Sequence, residues 1–149
     1  MENATKINGE LTVATNQVTS AQLQQAAKEG FKSVLNLRSP REEGFVSDEQ
    51  QQAEAAGLQY VNIPLKPDGM SNAVADQILQ QIDRLPKPAL IHCKSGLRSG
   101  AMALMYVAIQ EGMSADAAME KGQEMGFDCN KSPQMKEFFK SYVSEHSQK

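Results

Sequence analysis

Short apolar runs alternate along this chain with longer stretches of helical periodicity, and that alternation restricts the fold more than any other feature. Residues 31–37, 58–63 and 89–91 read as strands, preceded by a shorter strand candidate at Leu11–Ala14. Helices with start and stop signals lie between them. Thr19-Ser20-Ala21-Gln22 fits a capping box, in which a side chain at each end satisfies an exposed amide, and Gly30 closes that helix. Ser47-Asp48-Glu49-Gln50 repeats the pattern before a helix stopped by Gly57. Ser71 caps a third helix, with Val74, Ile78, Leu79, Ile82 and Leu85 on one face and Pro86 and Pro88 beyond its end. Further helices are expected over residues 98–111, 114–125 and 132–145, the last with Pro133 in its first turn. Strands joined by helical crossovers pair in parallel, and a parallel sheet is covered on both faces. The expected fold is therefore α/β in three layers: a central, mainly parallel sheet of four to five strands flanked by helices.

The 149 residues suit a single domain spanning 1–149. With 40% hydrophobic and 22% charged residues, the composition is that of a globular protein rather than a disordered or coiled-coil chain. A formal charge of -3 without a basic stripe argues against a nucleic-acid partner, and no apolar run is long enough to cross a membrane. The start MENATKINGE lacks the basic and apolar parts of a signal peptide, so the expected compartment is the cytoplasm. Two cysteines, Cys93 and Cys129, cannot build a disulfide framework, although they could form one reversible bond. His92 and His146 are the chain's two histidines and lie far apart in sequence, so no metal site and no cofactor is expected. Methionines such as Met102, Met105, Met119 and Met125 fall on helices and read as core.

Parallel sheets bind ligands beyond the carboxyl ends of their strands. That directs attention to His92-Cys93-Lys94-Ser95-Gly96-Leu97-Arg98-Ser99-Gly100, which follows the strand at 89–91 and opens a helix. Gly96 permits a backbone turn in which successive amides point inward and make an anion-binding nest. The helix N-terminus adds about half a positive charge, and Arg98 adds a planar fork suited to an oxyanion. Such surroundings favour a thiolate at Cys93. A thiolate beside an oxyanion cradle is a nucleophile for phosphoryl or sulfur transfer, whereas a lone cysteine at a strand end can also be plain core. Arg38 and Arg41, after another strand, could contact an anionic substrate. His92 either positions the thiolate or serves as a satisfied core histidine.

The pattern His92-Cys93-x-x-Gly96-x-Arg98-Ser99-Gly100 resembles the signature of the cysteine-dependent protein phosphatases, especially the dual-specificity group. Val34-Leu35-Asn36-Leu37-Arg38 and Tyr60-Val61-Asn62-Ile63-Pro64 are similar to strand motifs of that group. The whole is most similar to the bacterial beta-lactamase-hydrolase-like phosphatase domains, over about residues 5 to 125. The resemblance implies a cysteine-phosphatase-like fold and a phosphorylated substrate or other oxyanion as partner. It implies Cys93 as nucleophile, Arg98 as clamp and Ser99 as donor to the thiolate. Lys94, Ser95, Gly96 and Leu97 would belong to the cradle. Asp68, in Lys66-Pro67-Asp68-Gly69, is the candidate general acid, although Pro-Asp-Gly is also a plain turn sequence.

One departure divides the chemistry. Four residues separate Cys93 from Arg98, where phosphatases of the superfamily place five. The shorter loop is similar to that of rhodanese sulfurtransferases, which carry a persulfide on the cysteine and need no general acid. Phosphate-monoester hydrolysis, sulfur transfer and phospho-ligand binding without turnover all remain open at this point.

Overall fold

A computed structural model describes residues 4–14, 18–39, 48–65, 71–93, 97–127 and 133–146. Eleven elements follow one another: β1 (Ala4–Lys6), β2 (Leu11–Ala14), α1 (Ser20–Lys28), β3 (Ser33–Asn36), α2 (Glu49–Ala55), β4 (Gln59–Asn62), α3 (Asn72–Arg84), β5 (Ala89–His92), α4 (Leu97–Glu111), α5 (Ala115–Glu124) and α6 (Pro133–His146). The sheet order is β1-β2-β5-β3-β4. β2, β5, β3 and β4 are mutually parallel, and β1 alone runs antiparallel, against β2. β1 is an addition to the expected set of strands.

Side chains that alternate along each strand sort the core into two halves. Val13, Leu35 and Ile91 pack into the larger half with α3, α4, α5 and α6, while Ala14, Val34 and Leu90 pack into the smaller half with α1 and α2. Val34, Leu35, Leu90 and Ile91 are all fully buried. Burial of each contributes about 1.5–3 kcal/mol, which is why the central strands are near-continuous apolar runs. Met102 and Met105 are likewise core, and Met119 and Met125 pack against it.

Local signals fix most helix starts. Thr19 accepts from the Gln22 amide and Gln22 answers to the Thr19 amide, closing the expected capping box. Ser71 accepts from the Val74 amide and Ser114 from the Ala117 amide. α2 departs from expectation. Its cap is Asp48, which makes no side-chain capping bond, and the carboxylate of Glu49 turns into the protein instead. Among the described residues no helix is long and apolar enough to cross a membrane.

Candidate active site

β5 ends at His92, and Cys93 follows at the carboxyl edge of the sheet, where β5 lies between β2 and β3. Alternation along the strand sends the two side chains to opposite layers. Cys93 joins the core beneath α4, whereas His92 turns toward α2. Cys93 is fully buried, with its Sγ 3.3 Å from the Ser99 Oγ. Leu97 is the first residue of α4, so Arg98 and Ser99 stand in the first turn, where the helix dipole favours an anion. Arg98 is buried and donates to the Leu65 carbonyl at 2.7 Å. The Leu65 amide in turn donates to the Leu37 carbonyl at 2.9 Å. Backbone groups beyond β3 and β4 are thus tied to the guanidinium, fixing the plane of its fork.

A second set of polar side chains fills the same edge on the α2 side. Asn36 is paired with both His92 and Asn62, so the three lie in one row across the sheet. Asn62 donates to the carbonyls of Asn36 and Arg38, at 2.8 and 2.9 Å. Asn36 accepts from the Arg38 amide at 2.9 Å and donates to the Tyr60 hydroxyl at 2.8 Å. Burial pushes the Tyr60 hydroxyl well above its ordinary range, and the Glu49 carboxylate that it faces adds to this against the opposing Asn36 bond. Glu49 Oε2 stands 2.5 Å from His92 Nε2, with both side chains 0% exposed. His92 Nδ1 is buried and has no hydrogen-bond partner among the described residues.

The structure therefore brings His92, Cys93, Arg98 and Ser99 to one edge, as their spacing leads one to expect. Arg38 stands at the same edge but is only 2% exposed. Lys94, Ser95, Gly96, Asp68, Arg41, Ser47 and Cys129 lie outside the described residues. Gly100 belongs to packing, since a Cβ there would meet the Phe127 ring at 2.6 Å. Glu49, Tyr60 and Asn36 are the polar neighbours that sequence reasoning missed. A signal did exist: Glu49 and Ala53, four apart, form the buried stripe of α2, and a carboxylate on such a stripe requires a partner. Among the described residues no group of three or more His, Cys, Asp or Glu could hold a metal ion.

A mainly parallel sheet between two helical layers, with a cysteine leading from its central strand toward a helix that presents Arg and Ser, defines the cysteine-phosphatase class of α/β fold. The fold matches that of Pseudomonas aeruginosa TpbA with a TM-score of 0.78, at 20% identity over 97% of this chain and 88% of that one. A Shewanella putrefaciens protein matches with a TM-score of 0.84, at 17% identity over 98% and 94% of the two chains. The chain belongs to the family described as beta-lactamase hydrolase-like protein, phosphatase-like domain, which matches residues 5–110. The Beta-lactamase hydrolase-like protein of Agrobacterium fabrum is 29% identical over 128 residues, covering 84% of this chain and 30% of the relative. This chain thus spans under a third of that relative's length.

Proposed function

We propose that this domain is a cysteine-dependent phosphatase that hydrolyses a phosphate monoester through a phosphocysteine intermediate. The observation that carries the proposal is the Cys93 Sγ at 3.3 Å from the Ser99 Oγ, in the first turn of α4 beside Arg98. In the first step the Cys93 thiolate attacks phosphorus, the ester P–O bond breaks and Asp68 protonates the leaving oxygen. Arg98 and the amides of residues 94–99 hold the phosphoryl oxygens as charge builds on them. In the second step water attacks phosphorus and the S–P bond breaks, releasing orthophosphate. Ser99 then donates to the departing thiolate. Arg38, at the same edge, adds positive potential.

Membership of the phosphatase-like family supports this reading. So does the relative named Dual specificity protein phosphatase TpbA, 33% identical over 75 residues, one crystal structure of which contains phosphotyrosine. The four-residue interval between Cys93 and Arg98 favours a second reading, sulfur transfer through a Cys93 persulfide. Hydrolysis of a simple aryl phosphate by wild type, Cys93→Ser and Asp68→Asn separates the two. Turnover should vanish in Cys93→Ser and fall in Asp68→Asn. Folded wild type that leaves the ester intact but passes sulfur from thiosulfate to cyanide would establish the second reading. Tight binding of phosphate esters with neither activity would make the domain a phospho-ligand module.

A further inference from the structure

We propose a second binding site, away from Cys93, in which the groove between α3, α4 and α6 holds an aliphatic diamine or polyamine by two of its ammonium groups. The groove encloses a cavity of about 250 Å³. Its walls are apolar or aromatic: Leu79 from α3, Tyr106 and Ile109 from α4, and Tyr142 and His146 from α6. The last two stack, with their ring centroids 4.0 Å apart. Tyr106 and Ile109 lie in the second half of α4, whose first turn carries Arg98 and Ser99, so the groove is separate from the candidate active site. A cavity with mostly apolar walls and a few placed polar groups is the usual form of a small-molecule site.

The polar groups decide what kind of molecule fits. Asp76 and Asp83 both line the groove from α3. Their spacing puts them on one helix face, about 10 Å apart along the axis. Each accepts through Oδ1 from a tyrosine on a different helix, Asp76 from Tyr142 and Asp83 from Tyr106. A carboxylate accepts through both oxygens, so each retains capacity for a cation. More negative charge stands at either end: Glu10 acts on the Tyr106 hydroxyl at one, and Glu145 accepts from Asn72 at the other. No lysine or arginine is among the described residues that line the groove. Lys87, just past α3, is turned to the carbonyls of Ile82, Asp83 and Leu85. His146 stands 3.6 Å from Asp76 and carries charge only when protonated. Two anionic poles joined by an apolar floor complement two ammonium groups joined by methylenes, each ammonium making charge-assisted bonds to its carboxylate. A metal ion would leave the apolar floor unused, and a single-headed amine would leave one carboxylate unpaired.

The test is calorimetric titration of the full chain with octamethylenediamine at about pH 8, where an ordinary histidine is neutral. The diamine should bind roughly tenfold more tightly than octylamine, which has the same chain and one ammonium. It should exceed putrescine, which is too short to reach both poles, by a similar factor. Asp76→Asn and Asp83→Asn each keep an oxygen for the tyrosine and remove one pole. Either should weaken the diamine about tenfold and bring it level with octylamine. Glu54→Gln removes an exposed charge from α2, on the other side of the sheet, and should leave the affinity unchanged. Equal binding of the three amines, or as large a loss in Glu54→Gln as in Asp83→Asn, would mean general attraction to an acidic protein and overturn the proposal. So would the absence of binding by folded wild type. If an aspartate variant does not fold, Gln80→Lys puts a cation at the exposed rim of the groove. That variant should lose diamine binding at an unchanged melting temperature, and retained binding would count against the site. The titration involves no turnover, so its outcome stands whether or not the domain hydrolyses phosphate esters.

Discussion

At Gly100 the backbone of α4 passes so close to Phe127 that a Cβ would stand 2.6 Å from the base of the ring. Phe127 is buried in the core and cannot swing aside. Overpacking costs about 1–3 kcal/mol, more than the up to about 1 kcal/mol that alanine gains over glycine inside a helix. Gly100→Ala should therefore lower the urea midpoint with an unchanged slope. Gly122→Ala is expected to cost less, because its nearest obstacle is the movable Cδ1 tip of Leu104. Arg98 poses a chemical question rather than a steric one. A lysine could still reach the Leu65 carbonyl, but a point charge cannot hold two oxygens in one plane. Arg98→Lys should retain the fold and lose about 10²–10³-fold in kcat on an aryl phosphate. Unchanged kcat would show that the guanidinium serves only to fasten Leu65.

Elements meet at the carboxyl edge of the sheet, where β3, β4 and β5 present Asn36, Asn62 and His92 in one row. Asn36 serves both the Tyr60 hydroxyl and the Arg38 amide. Asn36→Ala removes the side-chain bond to the Arg38 amide and the bond from Asn36 to the Tyr60 hydroxyl, and a buried group left unsatisfied costs about 1–3 kcal/mol. A clear drop in melting temperature is expected, and a drop no larger than for a surface substitution would mean that water replaces the bonds. The strands themselves were legible, because central parallel strands are short, apolar and bounded by breakers. β1 was not, since three residues at a sheet edge are too short to show a period. The start of α2 was misread for a different reason. A capping pattern does not say whether an acidic side chain turns back to the helix or reaches across to another layer, and Glu49 reaches across.

For the molecule as a whole, all three tyrosines resist ionisation in the folded state. Burial, together with the Asp83 carboxylate, pushes Tyr106 up to about 12. Tyr60 is raised chiefly by burial, as is Tyr142, whose hydroxyl also donates to Asp76. The unfolded chain ionises its tyrosines near about pH 10. A folded value above the unfolded one means stability that is complete below about pH 10 and lost as pH rises through the folded value. The melting temperature should hold up to about pH 10 and then fall steeply, with phenolate absorbance appearing together with unfolding. Phenolate formed near pH 10 by an intact fold would contradict this. The sequence by itself determined what depends on near neighbours: the order of elements, the two-sided alternation of the strands, and the gathering of His92, Cys93, Arg98 and Ser99 where a strand gives way to a helix. Only the tertiary structure decided which distant groups complete that edge. His92 meets Glu49 across 43 residues of chain, and Arg98 meets Leu65 across 33. Spacing records periodicity along one element, whereas contacts of this kind depend on which layers pack together and in what register.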